Sequence, residues 1–299
     1  MDNHPKTFKI NRSKILIKLL KKNGWHQAKK NEKIYFSYWN TYNNPKINKS
    51  ELTVIPRNIT CNFDNKRKMY LNLLLHNLTD FLPTTYTELE NINSNIFSDN
   101  KIFFLKDINS SSNKGVHVIK TFKEFIEIVK DEYSKYILQE EVNNMYLVNG
   151  CKCVIRSYGL ITKNPFKNYL YHNSKCDIYV NKYDKNNTSN NIHNDEYNSV
   201  KHYDLYCMPF NNIVFPKLKK ICSKLNIFFD YESSEQQFII IGYDFILDNS
   251  MNPILIEMNA YPNLSESNEQ PIKNCLIECF ANLYIFKNNT PHYFIDVNS

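Results

Sequence analysis

The apolar positions of the chain change period repeatedly, and each change marks an element. SKILIKLLKKNGWHQA (13–28) has helical spacing, a serine where an N-cap belongs and a glycine near its close, which predicts a helix. KIYFSYW (33–39) then alternates in period two, as a strand does. NKRKMYLNLLLHNLTDFLP (65–83) predicts an amphipathic helix followed by a stop. KIFFLKDI (101–108) and GVHVI (115–119) read as strands around the polar loop NSSSNK. TFKEFIEIVKDEY opens with the Thr-x-x-Glu of a capping box, so Thr121 starts the next helix. YILQEEV (136–142) and CKCVIRSYGLIT (151–162) follow as strands. Residues 181–199 show no hydrophobic period and read as a mobile loop. FPKLKKICSKLNIFF (215–229) is a helix, an apolar hairpin comes next, and PIKNCLIECFANLYIF (271–286) closes the series as a helix. Mixed strands and helices without internal repeats argue for an α/β or α+β fold. No linker is rich enough in Pro, Gly or Ser to force a domain boundary.

The hairpin IIIGYDFILDNSMNPILIEMNAYPNL (239–264) places acids where hydrophobes would be easier to bury. Residues 248–253 are all turn formers but Met251. A symmetric turn sets Leu247 opposite Ile254, and counting back puts Asp244 opposite Glu257. Asn259 shares that face and meets Gly242, which has no side chain. Like charges directly opposite in a sheet are unfavourable. At roughly 5 Å and an effective dielectric of about 20 their repulsion is about 3 kcal/mol. A hard divalent cation with oxygen ligands compensates such a pair, and magnesium takes one or two carboxylates plus substrate phosphates. The alternative is a half-buried hairpin with one acid pointing into solvent.

Composition narrows the class without fixing it. A chain of 299 residues has room for one large domain or two to three small ones. No stretch approaches the ~20 apolar residues of a membrane span, and the N-terminal residues lack a signal-peptide pattern. Eight cysteines without a CxxC pair are those of a cytosolic protein with reduced thiols. The net charge of +7 suits an acidic partner. Nucleic acid is disfavoured, because the strands offer no platform of clustered cations and stacking aromatics.

Two groups of cations are placed for anion binding. Gly115 follows Lys114 at the end of a Ser/Asn-rich loop that can bend over phosphates, and Lys106 ends the strand before it. The loop is neither a Walker A loop nor a Rossmann turn, and a solvated turn is its plainer reading. Lys152 and Arg156 lie four apart on one strand face with Val154, while Cys153 and Ile155 point the other way. That face could grip phosphate or carboxylate, or be an outer face in solvent.

In order, these pieces resemble an ATP-grasp ligase of the tubulin–tyrosine ligase-like family over residues 15–286. GYDFILDNSMNPILIEMNAYPNL resembles the family's G-[FY]-D-[FV] strand, turn and [LI]-I-E-[VM]-N-x-x-P segment. NKRKMYLNLL with the later FLPTTYT resembles its basic helix and Pro-x-Thr stretch. KCVIRSYGLIT resembles its K-F-D-I-R-x-[WY]-x-[LV]-[VI]-T strand, and YILQEEV the segment that holds adenine. The resemblance implies an ATP-grasp fold that holds the nucleotide between two mixed α/β subdomains. Its parts would be an N-terminal region 1–80, a central subdomain 81–145 and a C-terminal subdomain 146–299 with the metal-binding hairpin. Lys106, Lys114 and Lys152 would contact ATP phosphates under the Gly115 loop, and Gln139, Glu140 and Val142 would line the adenine site. Asp244, Glu257 and Asn259 would hold magnesium, with Glu257 and Arg156 as catalytic residues and Arg156 near the transferred phosphate. ATP would phosphorylate an acceptor carboxylate, and the amine of a free amino acid would displace the phosphate. Tubulin or another acidic-tailed protein would be the acceptor, in the cytoplasm and beside microtubules.

The sequence departs from that pattern at three places. Val154 stands where an acid sits between the strand's lysine and arginine. Asp177 aligns with an expected arginine, with Lys175 as a stand-in at the substrate. Asn194 is the match to the family's H-L-T-N. These departures leave open a nucleotide-binding pseudo-enzyme, or a ligase acting on small molecules.

Overall fold

The computed structural model describes residues 6–10, 13–29, 32–38, 51–98, 101–110, 115–185, 200–264, 271–288 and 293–299. The first third supplies short strands and three helices. Strands β1 (Thr7–Ile10), β2 (His26–Gln27), β3 (Phe36–Tyr38) and β4 (Leu52–Val54) pair in parallel. Helix α1 (Lys14–Lys22) starts at Ser13, whose side chain accepts from the Leu16 N–H. The expected helix from residue 65 is instead the second of two: α2 (Arg57–Asp64) and α3 (Lys66–Leu75) meet at Asn65. Asn65 caps α3 by accepting from the Lys68 N–H at 3.0 Å, and that cap sets a new helix axis where the apolar period alone shows no break.

Residues 85–140 build a small antiparallel sheet of their own. β5 (Thr85–Tyr86), β6 (Phe103–Asp107), β7 (Val116–Ile119) and β8 (Tyr136–Glu140) lie in the order β5-β8-β6-β7. Helix α4 (Phe122–Val129) covers one face, with both halves of the Thr121–Glu124 capping box formed. Leu89, Phe103, Leu105, Phe125 and Leu138 form the core between them. The alternate residues Phe104 and Lys106 therefore face the other way.

The rest of the chain extends the first strands into a sheet of twelve among the described residues. Its strands are β9 (Leu147–Val148), β10 (Cys151–Lys163), β11 (Lys167–Tyr171), β12 (Lys175–Lys182), β13 (Val200–Asp204), β14 (Gln236–Leu247), β15 (Pro253–Asn259) and β16 (Phe294–Asp296). β10 and β14 run antiparallel at its centre over nine paired positions. Helix α5 (Asn211–Lys224) packs on one face with α2 and α3. Helix α6 (Pro271–Phe280) packs on the other with α1. The final helix changes to π geometry over residues 281–285. The predicted loop begins inside β12, and residues 186–199 lie outside the described residues.

Period two on β14 decides what the site is made of. Ile239, Ile241, Tyr243 and Phe245 enter the core under α2, α3 and α5. Phe238 and Ile240 enter the core under α1 and α6. That second face continues through Gly242 to Asp244 and Ile246, which line a cavity instead. β10 does the same: Leu160 and Tyr158 are core, then Arg156, Val154 and Lys152 line the cavity. One face of the central strands is thus oil at one end and charge at the other.

Candidate functional site

The cavity measures about 310 Å³ and is lined from both sheets and from the helices α3 and α6. Phe104, Lys106, Gln139 and Glu140 come from the small sheet; Lys152, Arg156, Lys175, Asp244 and Glu257 come from the large one. The face carrying Lys152, Val154 and Arg156 is therefore turned inward rather than to solvent, with Cys153 and Ile155 in the core behind it.

The hairpin carries Asp244 directly opposite Glu257 and Gly242 opposite Asn259. It reaches that register by a different route from a symmetric turn. Leu247 pairs with Pro253 rather than Ile254, so the loop is one residue shorter, and a bulge at Ile256 restores the count. The extra residue also lets Ile256 and Glu257 both line the cavity. The Asn259 amide nitrogen donates to Glu257 Oε1 at 3.0 Å and to Asp244 Oδ2 at 3.3 Å.

What offsets the two acids is a cation on the third strand. Arg156 pairs with Asp244 across β10 and β14. Its Nη2 donates to Asp244 Oδ2 at 2.6 Å, and its Nε donates to Oδ1. Gly242 keeps the path clear, because a Cβ there would meet Pro262 Cβ at 3.1 Å and Arg156 Cδ at 3.3 Å. Burial pushes the Asp244 carboxyl up to about 6; Arg156 opposes that shift and Glu257 reinforces it. Burial also works against charge on Glu257, but Lys66 and Arg156 outweigh it and hold this carboxyl below its ordinary value. Two carboxylates and an amide on one face, one carboxylate held ionised, are a hard-oxygen donor set that fits magnesium.

The lysines fit an anion. Lys106 is 8% exposed, and its Nζ donates to the neutral Gln139 Oε1 at 2.5 Å. Burial brings its ammonium down to about 8, with Lys66 and Lys152 adding to that effect and Glu257 and Asp244 opposing it. Lys152 is equally buried, 5.2 Å from the Phe104 ring centroid and 5.7 Å from that of Tyr179, and burial lowers its pKa too. Buried cations brought into one cavity from two sheets repel each other, and a polyanion relieves them.

The remaining expected residues divide. Gln139, Glu140 and Val142 line the cavity; Glu140 Oε1 also accepts from Tyr86 Oη at 2.9 Å and Lys101 Nζ at 3.3 Å. The Ser-rich loop reaches the cavity through Ser110 and β7 reaches it through Val116, while Gly115 precedes that strand. Gly115 has φ +70°, and a Cβ would stand 2.9 Å from Asp107 Cβ, so glycine is required there. Lys175 lines the cavity beside Asp177. Lys114 and Asn194 lie outside the described residues.

Several lining residues escaped the sequence reading. Lys66, at the start of α3, lines the cavity and donates to the Ser110 carbonyl at 2.6 Å. Its only signal was membership of the basic run NKRK. Lys273, the single cation in PIKNCLIECF, and Tyr179 also line it. His202 stands behind Asp177, Nδ1 to Oδ1 at 2.7 Å.

Comparison with known proteins gives the arrangement a context. A family model described as the tubulin-tyrosine ligase family matches residues 1–208 and 210–291. A probable tubulin polyglutamylase TTLL9 of Bos taurus is 28% identical over 181 residues, covering 50% of this chain and 39% of the relative. Tubulin glycylase 3C of Tetrahymena thermophila is 22% identical over 213 residues, covering 61% and 20%. A probable alpha-tubulin polyglutamylase Ttll1 of the same organism is 24% identical over 255 residues, covering 69% and 59%. The chain spans between about a fifth and three fifths of the length of these curated relatives. No helix among the described residues is long and apolar enough to cross a membrane.

Proposed function

The chain belongs to the tubulin-tyrosine ligase family, and from that premise we propose that it is an ATP- and magnesium-dependent ligase joining an amino acid to a protein carboxylate. One observation carries the reading: buried Lys106 and Lys152 share a single cavity with the Asp244–Glu257–Asn259 cluster. In this reading the fold is ATP-grasp, with the nucleotide between the small sheet and the large one. Lys66, Lys106 and Lys152 receive the phosphates beside Ser110, and Gln139, Glu140 and Val142 border the base. Asp244, Glu257 and Asn259 would hold magnesium, which neutralises phosphate charge when bound.

Arg156 reaches the acceptor side of that cluster. Phosphoryl transfer from ATP to the acceptor carboxylate forms an acyl phosphate and leaves ADP; attack by the amine then forms the amide and releases phosphate. Arg156 stabilises charge on the transferred group with the guanidinium N–H donors that Asp244 does not engage. The names of the relatives, polyglutamylases and glycylases of tubulin, support a tubulin acceptor and a free amino acid as the second substrate, and hence a cytoplasmic site beside microtubules.

A second reading, nucleotide binding without ligation, is favoured by Asp177, an acid at a cavity position where the family pattern has arginine. A thermal shift with ATP, with magnesium and then with excess chelator, tests the part common to both readings. Ligand at about 100 times its dissociation constant adds about 2.7 kcal/mol, a rise of about 4 °C for a chain of this length. A magnesium-dependent rise that Asp244→Asn removes is the expected result, and no shift in any condition overturns both readings.

A further inference from the structure

Around Lys175 the cavity wall carries a second group of charges, outside the nucleotide and metal residues. Lys175 stands directly opposite Arg156 on the neighbouring strand, so the two cations share a face. Each is matched by an acid. Asp244 holds Arg156, and Asp177 Oδ2 lies 2.8 Å from Lys175 Nζ. The other Asp177 oxygen meets His202 Nδ1 at 2.7 Å. Asp177 is thereby fully engaged and fixes Lys175 in place.

Lys273 arrives from a different element, helix α6, and lines the same cavity. It has no hydrogen bond or ion pair among the described residues. Lys175, Arg156 and Asp177 are the charges that act on it, and burial together with the two cations brings its ammonium down to about 8. Among the described residues Lys175 and Arg156 each have an acid in contact, Asp177 and Asp244, while Lys273 has none of its own. A lysine without its own acid beside a paired one suits a single carboxylate. The several charges of a nucleotide tail are matched by Lys66, Lys106 and Lys152 instead.

We propose that Lys273 and Lys175 form a subsite for one substrate carboxylate, with Asp177 and His202 as positioning residues for Lys175. The inference rests on the ligase reading for the identity of that substrate. The carboxylate is either that of the free amino acid or that of the acceptor side chain, and the chemistry of recognition is the same.

The test is lysine labelling of the full chain with an amine-reactive reagent, read by peptide mass spectrometry, without nucleotide. Glycine, glutamate and a glutamate-rich peptide are the protecting probes. Protection of Lys273 by glycine or glutamate assigns the carboxylate to the free amino acid; protection by the peptide alone assigns it to the acceptor. Lys273→Met is expected to weaken binding of the protecting probe about tenfold or more, as loss of a charge-assisted hydrogen bond does. Lys273→Arg is expected to retain it, and both variants are expected to keep the wild-type thermal shift with ATP. The subsite is overturned if no probe protects Lys273, if Lys273→Met leaves probe affinity unchanged, or if the loss falls equally on ATP. A wild-type protein with no magnesium-dependent ATP shift would sink the ligase reading alone, since the labelling needs no nucleotide.

Discussion

Arg156 stands directly opposite Asp244 across the two central strands and holds both oxygens of its carboxylate. Asp244 in turn faces Glu257 on the next strand. Cation, acid and acid thus lie in one row across the sheet, so the charge that makes the hairpin tolerable in a core comes from the strand beside it. Any metal drawing on Asp244 shares that carboxylate with Arg156.

Removing Arg156 should therefore cost stability as well as activity. Arg156→Met leaves a buried acid without its partner, and the expected loss is about 3 kcal/mol or more in urea unfolding. Saturating magnesium should recover part of that loss, because a cation can replace the guanidinium at the same oxygens. An unfolding midpoint equal to wild type would show that the pair contributes nothing to the fold.

Glu257→Gln separates metal chemistry from folding. The amide keeps an oxygen for Asn259 Nδ2, now 3.0 Å from Glu257 Oε1, and relieves the repulsion with Asp244. Stability is expected to stay within about 1 kcal/mol of wild type, while ligase turnover falls by about a hundredfold or more, as for disruption of a metal site. Unfolding of this variant would instead make Glu257 a structural residue.

Gly242 tests the route of the arginine. The Cβ of Gly242→Ala would meet Pro262 at 3.1 Å and Arg156 at 3.3 Å, so the expected loss is about 1–3 kcal/mol of overpacking. Magnesium-dependent ATP binding should weaken with it, because Arg156 would move relative to Asp244. Wild-type stability together with wild-type binding would contradict the packing at this position.

Lys106 should make stability depend on alkaline pH. Its ammonium titrates near 8 in the fold against an ordinary value of 10.5. Between those values the unfolded chain binds the extra proton, so the fold gains stability as pH rises through that window and is penalised below it. The gain is about 3 kcal/mol at most. Urea unfolding at pH 7.5 and 10 should show a rise in wild type that is smaller in Lys106→Met; identical slopes would remove Lys106 as the cause.

The parts of this site that can be read from sequence are those set by local period. The face shared by Lys152, Val154 and Arg156 follows from alternation along one strand, and the caps at Ser13 and Thr121 follow from spacing. The Asp244–Glu257 pairing was legible in result but not in route, because the shorter loop and the Ile256 bulge cancel each other. Long-range contacts were not legible. Nothing in the order of residues says that β10 abuts β14, so the arginine read as a phosphate ligand was not seen to hold Asp244. Lys66 and Lys273 reach the cavity from helices distant in sequence, and only the packing of α3 and α6 brings them there. The helix expected from residue 65 ends at Leu75, where Asn77 turns left-handed with φ +56° and the Leu78 N–H bonds the Leu73 carbonyl at 2.8 Å.

The proposed reaction joins a carboxylate to an amine with ATP in this cavity. Its most direct test is mass spectrometry of tubulin incubated with the protein, ATP, magnesium and each free amino acid in turn, with ADP measured in parallel. The expected result is a mass increase of whole amino-acid residues for at least one amino acid, matched by ADP release that needs both substrates and disappears in Glu257→Gln. No mass increase with any amino acid, in a protein that still binds ATP and magnesium, would contradict it.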